Sequence, residues 1–131
     1  MKLLDTTFLI DFLKKEEGAI KKARELYNEN LFTTEINVYE VVLGIYSLRG
    51  DFTKELDKVE DLFQSLNLLG LNHNSSLAAA KIFGTLAKEG VIIDHNDCLT
   101  AAIALTNSIT TIVTRNKEHF SRIKGIKVEG Y

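Results

Sequence analysis

The sequence predicts a single doubly wound α/β domain over residues 1–131, with a central parallel sheet of about five short strands flanked by helices. Two observations carry this. Short apolar runs alternate with longer amphipathic ones, the rhythm of strands joined by crossover helices. No proline, serine-rich spacer, low-complexity tract or internal repeat divides the 131 residues, a length that can bury a core as one unit.

Strands are expected over residues 2–5, 31–33, 67–71, 110–114 and 127–129. The first helix is expected over 8–13 and the second over 20–30, where Asn28 and Asn30 help to end it. Ile36, Tyr39, Leu43 and Tyr46 recur at helical spacing and predict the buried face of a third helix. Phe52, Leu56, Val59, Phe63 and Leu66 do the same for a fourth. The charges between them (Lys54, Glu55, Asp57, Lys58, Glu60, Asp61) form its wet face. A fifth helix is expected over 76–89, closed by Gly90 as a C-terminal cap. The last opens near residues 94–97 and continues through Ala101, Ala102 and Ala104, small side chains that let a helix approach the sheet closely.

Hydrophobic residues make up 45% of the chain and charged residues 26%, a globular balance rather than a disordered or fibrous one. No apolar run approaches the roughly 18 residues that cross a bilayer. Asp5 interrupts the opening segment too early for a signal-peptide core. With Cys98 the only cysteine, no internal disulfide can form, and a reducing, cytoplasmic setting is expected. The net charge is −2, unevenly spread: the first 66 residues carry 9 basic and 13 acidic side chains, the remaining 65 carry 7 and 5. Arg115, Lys117, Arg122, Lys124 and Lys127 cluster with only Glu118 among them. They form either a solvated surface or a phosphate-contacting rim beside an acidic centre.

Three carboxylates fall where packing alone would not put them. Asp5 ends the first strand, and in open parallel sheets ligand sites gather at the carboxyl ends of strands. Its plain alternative is a helix N-cap. Glu40, at about 100° per residue, falls between Ile36 and Leu43, on the face expected to be buried. An ionised carboxylate there needs a cation, a donor network or a metal. Asp97 lies one turn inside the last helix, aimed at whatever that helix packs on, with Asp94 as the expected N-cap; helix-dipole complementarity is its alternative. Asn116, beyond the fourth strand, offers an amide oxygen. Thr6 and Thr114 offer hydroxyls at two strand ends. Like charges gathered together raise one another's pKa unless a cation intervenes, and Mg²⁺ or Mn²⁺ suits an all-oxygen donor set. His73, His95 and His119 lack zinc-ligand spacing and are expected in surface or cap roles. Cys98 is expected in the core, and the glycines form no phosphate-binding loop.

These residues stand in four ordered blocks: Leu3-Leu4-Asp5-Thr6; Asn37 through Glu40 to Gly44; Asn96-Asp97 with Ala101, Ala102 and Ala104; and Val113-Thr114-Arg115-Asn116 with Phe120. Together with the closing Ile123, Gly125, Ile126 and Val128, they make the chain resemble the PIN-domain ribonucleases, particularly the VapC-like toxins of toxin–antitoxin pairs. The resemblance implies a central parallel sheet and Mg²⁺- or Mn²⁺-dependent endonucleolytic cleavage of RNA. It implies a homodimer, and a small antitoxin that inserts a segment near the active site. It places Asp5, Glu40 and Asp97 at the family's metal-binding acids, Asn116 at a fourth, usually acidic position, and Thr6 and Thr114 at supporting hydroxyl positions. Arg115 and Lys117, from the basic cluster, are the expected substrate contacts. Three rivals remain open: a catalytically weak or inactive RNA- or protein-binding module, a phosphotransfer domain with Asp5 as nucleophile, and a DNA nuclease of the same fold.

Overall fold

The computed structural model describes residues 1–131. In chain order the elements are β1 (Lys2–Leu4), α1 (Thr6–Leu13), α2 (Glu17–Glu25), β2 (Leu31–Thr34), α3 (Glu35–Tyr46), α4 (Thr53–Gln64), β3 (Asn67–Leu69), α5 (His73–Lys88), α6 (His95–Thr106), β4 (Thr111–Val113), α7 (Lys117–Ser121) and β5 (Lys127–Glu129). All four strand pairings are parallel, and the sheet order is β3-β2-β1-β4-β5. The chain builds outward from β1 through β2 to β3, then crosses back to lay β4 on the other side of β1. The winding direction therefore reverses between β1 and β4. Leu3 pairs with Ile112 and Leu4 with Val113, so the residues that follow, Asp5 and Thr114, emerge side by side at this switch point.

Alternation along the strands divides the core into two layers. Leu3 and Ile112 face one side, where they pack with Leu86 of α5, with Cys98, Ala101 and Ala104 of α6, and with Phe120 of α7. Leu4 and Val113 face the other, against Phe8 and Leu9 of α1, Ala19 of α2, Val41 and Ile45 of α3, and Val59 and Phe63 of α4. Ala101, Ala102 and Ala104 have no exposed surface, the close approach of helix to sheet expected of small residues. No helix is long and apolar enough to cross a membrane.

All five expected strands form, but β1, β3 and β4 are shorter than expected; at β1 the cause is helix capping. Asp5 takes the N-cap position of α1, and its extended backbone hands the chain to a helix that begins at Thr6 rather than residue 8. The second helix lies three to five residues earlier than expected, ending at Glu25 with Leu26 as its cap; Asn28 and Asn30 belong to the connection that follows. α5 starts at His73 because Asn72 and Ser75 cap each other reciprocally, a capping box that needs no glutamate. Gly90 adopts φ 77°, the left-handed C-terminal stop expected of it.

The largest departure concerns the face α3 buries. Tyr39, Leu43 and Tyr46 are 60%, 50% and 60% exposed. The line that packs inward is Asn37, Val41 and Ile45. Both stripes have helical spacing, so periodicity alone could not choose between them. The choice falls to Asn37, whose side chain is held inside the fold by hydrogen bonds described below.

Ala101→Leu would force extra volume between α6 and the sheet. We expect it to lower unfolding free energy by about 1–3 kcal/mol, read as a shifted urea midpoint with unchanged slope.

Candidate active site

The reversal between β1 and β4 leaves a cleft at the carboxyl ends of the strands, where ligand sites of doubly wound sheets form. Asp5 is its floor. Although Asp5 stands at an N-cap position, its side chain makes no capping bond. Instead it is buried and accepts three hydrogen bonds from side chains. Thr114 Oγ1 donates to Oδ2 at 2.8 Å, Thr7 Oγ1 reaches the same oxygen at 3.1 Å, and Asn37 Nδ2 donates to Oδ1 at 3.3 Å. No lysine or arginine pairs with it.

Glu40 reaches the cleft from α3. About 60° round the helix from Asn37, it sits at the edge of the packed line and is half-buried, not enclosed as expected. Thr6 Oγ1 donates to Glu40 Oε1 at 2.7 Å. Burial pushes the Glu40 carboxyl above its ordinary pKa; the Thr6 hydrogen bond opposes this and the charge of Asp5 adds to it. Asn96 also donates toward Glu40, while the charge of Asp94 pushes the same way as Asp5.

Asp97 arrives from the first turn of α6, one residue beyond Asn96, whose backbone N–H is capped by Asp94 Oδ1 at 2.8 Å. The Asp94 cap was expected; the partner of Asp97 was not. His119 Nδ1 lies 2.8 Å from Asp97 Oδ2, so the histidine assigned to a surface or cap role instead touches a cleft carboxylate. With Asp97 ionised, Nδ1–H is the donor. Burial pushes the Asp97 pKa up to about 6, against the His119 hydrogen bond and with the charge of Asp5. The signal for His119 lay in its place one turn after Asn116, inside the short helix α7 that carries it back toward α6.

Asn116 completes the far side. Its backbone N–H donates to Thr114 Oγ1 at 2.9 Å, and its amide nitrogen lies 3.4 Å from His119 Nδ1. A chain of contacts therefore runs from Glu40 through Thr6, Asn37, Asp5, Thr114 and Asn116 to His119 and Asp97. Arg115 points its side chain away from the acids. Its Nη1 lies 3.0 Å from both oxygens of Asp11, leaving the side chain 65% exposed, while its backbone N–H donates to Thr7 Oγ1. Lys117 lays its stem over Gly130, leaving no room there for a Cβ. Cys98 is buried beneath the cleft and its thiol is pushed up to about 11, by burial first and then by Asp97 and Asp94; it is no nucleophile. His73 and His95 stay out of this network, and His95 stacks on Phe83.

A family model for the PIN domain matches residues 2–126. The chain belongs to the PIN domain family. It is 25% identical over 130 residues to a tRNA(fMet)-specific endonuclease VapC of Salmonella typhimurium, covering 98% of this chain and 96% of that protein. It is 28% identical over 120 residues to a VapC ribonuclease of Pyrococcus furiosus, covering 88% and 77%. The fold matches the DNA-bound VapBC crystal structure from Salmonella typhimurium with a TM-score of 0.87 at 24% identity, over 98% of this chain and 96% of that one.

The donor chemistry of this PIN domain suits a hard divalent cation. Carboxylate and hydroxyl oxygens meet in the cleft, and burial and mutual repulsion hold two of the carboxyls above their ordinary pKa. No Lys or Arg neutralises any of the three. No three acidic, histidine or cysteine groups are yet drawn into a closed cluster, so a cation would have to gather them.

The raised Asp97 pKa fixes a sign. Between about pH 4 and pH 6 the folded protein holds a proton that the unfolded chain has released, so Asp97 lowers stability as pH rises through that window. In metal-free buffer we expect Asp97→Asn to remove a loss of about 3 kcal/mol across that window. Urea midpoints at pH 4 and pH 7 measure it; equal pH slopes for variant and parent would contradict the assignment.

Proposed function

We propose that this PIN domain is a divalent-metal-dependent endoribonuclease, the toxin component of a toxin–antitoxin pair, that hydrolyses RNA phosphodiester bonds. What supports the reading is that Asp5, Glu40 and Asp97 line one cleft at the β1/β4 switch point, with the charge of Asp5 felt by both of the others, and have no lysine or arginine to neutralise them. The two VapC relatives, named as endonuclease and ribonuclease, support it from outside the chain.

Asp5, Glu40 and Asp97 would hold Mg²⁺ or Mn²⁺. A divalent ion in such a setting activates water and neutralises charge on a phosphodiester undergoing in-line attack. The chain supplies the rest. Thr6 and Thr114 each donate their single hydroxyl hydrogen to a carboxylate, Glu40 and Asp5 respectively, fixing which oxygen lone pairs remain for the cleft. Asn116, at the fourth position, is neutral; its amide oxygen can accept from water or bind metal weakly, so the site leans on three charges rather than four. Arg115 and Lys117 contact RNA phosphate at the rim, Arg115 through the guanidinium face that Asp11 does not occupy. Because Asp11 fixes that guanidinium, Arg115 contributes position as well as charge.

The partners follow from the same reading. Tyr39, Leu43 and Tyr46 form an exposed apolar face on α3, bordered by Val38 and Val42, larger than scattered surface apolar residues require. It is the surface a homodimer would cover. A groove of about 380 Å³ between α1, α3 and α4, lined by Ile10, Leu13, Val41, Ile45, Leu48 and Val59 among others, would receive the apolar segment of a small antitoxin.

Glu40→Gln keeps the acceptor for Thr6 and removes the charge. We expect RNA cleavage to fall at least about 100-fold, while the metal-free melting temperature stays equal or rises, since repulsion from Asp5 is relieved. Cleavage by the parent should need Mg²⁺ or Mn²⁺ and vanish with EDTA; metal-independent cleavage, or none with either ion, would overturn the proposal. Arg115→Ala should raise the KM for RNA and flatten its salt dependence by about one unit of log–log slope, with kcat changed less.

A further inference from the structure

Asn37 has no solvent-exposed surface and yet uses both ends of its amide. Its Oδ1 accepts from the backbone N–H of Thr34 at 3.2 Å and from Thr34 Oγ1 at 2.7 Å. Its Nδ2 donates to Thr6 Oγ1 at 3.0 Å and to Asp5 Oδ1 at 3.3 Å. The amide orientation is forced, because the reverse would set an NH₂ group against the Thr34 N–H. The two ends do different work. The oxygen end closes the reciprocal cap that starts α3, with Thr34 Oγ1 accepting from the Asn37 N–H at 3.2 Å. The nitrogen end leaves the helix altogether and reaches the segment after β1.

We propose that Asn37 is the positioning residue of the metal-binding acids: its Nδ2 group orients the Asp5 carboxylate directly and the Glu40 carboxylate through Thr6. A hydroxyl has one hydrogen. Because Asn37 donates into Thr6 Oγ1, the Thr6 hydrogen turns outward to Glu40 Oε1, and the direction of this relay is set by Asn37. One buried amide thereby fixes two acids carried on different elements. It also explains why α3 turns Asn37 inward and leaves an apolar stripe exposed. Groups that hydrogen-bond metal ligands in this way typically change metal affinity 10–100-fold when removed.

The inference rests on the metal-binding reading above, and the test separates the two. Mn²⁺ binding is titrated by electron paramagnetic resonance on the full chain, beside melting temperature and RNA cleavage over a range of Mn²⁺ concentrations. Asn37→Ser, whose shorter side chain cannot span both Asp5 and Thr6, should weaken Mn²⁺ binding 10–100-fold, with cleavage regained as Mn²⁺ is raised. Asn37→Thr is the second variant and should behave alike. Thr34→Val removes the cap but leaves the Nδ2 contacts; it should lower the melting temperature and leave Mn²⁺ affinity within about threefold. Unchanged Mn²⁺ affinity in folded Asn37→Ser or Asn37→Thr would overturn the positioning role alone. So would equal weakening in Thr34→Val, or failure of both Asn37 variants to fold while Thr34→Val folds, because each marks a purely structural role. Absence of Mn²⁺ binding by the parent protein would overturn the metal-binding reading and this inference with it.

Discussion

Like-charge repulsion at a topological switch point is the constraint around which this chain is organised. The sheet reverses its winding between β1 and β4, and that reversal brings Asp5 beside Thr114 at the carboxyl ends of two core strands. α3 and α6 then add Glu40 and Asp97 to the same cleft. A fold that wanted only stability would not place carboxylates there without a lysine or arginine partner, since each costs free energy to desolvate and more to set beside another. The hydrogen bonds that reach them, from threonines, an asparagine and a histidine, distribute that cost without abolishing it. The result is a cleft held in want of positive charge.

The scaffold bears this strain because it is rigid where the acids attach. Leu3 and Leu4, immediately before Asp5, are enclosed on opposite faces of the sheet, and Ile112 and Val113 precede Thr114 in the same way. The alanine face of α6 sits tightly against one layer, fixing the height of Asp97 above the strands. Asn37 locks the start of α3 to the segment after β1. Each acid thus hangs from an element whose own position is set by dense packing, so that side-chain movement alone is left for a cation to draw the carboxylates together.

Much of this was legible in the residues. Strand identity was plain from short apolar runs, and Gly90 and Asp94 announced their caps by residue type. Asp5, Glu40 and Asp97 stood out because a carboxylate at a strand end or on a packed helix needs a reason. What stayed hidden shares one physical cause: polar groups that face one another across long sequence separations leave no local period. His119 and Asp97 meet only because α7 folds back on α6. Asn37 looks like an ordinary helix residue until Asp5 and Thr6 are brought to it, and its burial in turn rotated α3 away from the face that its tyrosines and Leu43 suggested. Arg115 read as a free cation, yet Asp11 holds it, a pairing 104 residues apart in the chain.

The central claim is that the cleft lacks a cation that the chain itself does not provide. Calorimetric titration of metal-free protein with Mn²⁺, carried out for the parent and for Asp5→Asn, tests it most directly. The account predicts saturable binding by the parent, with proton release as the Asp97 carboxyl gives up its proton near pH 6, and binding at least tenfold weaker in the variant. Equal, weak binding by both proteins, with no protons released, would contradict it.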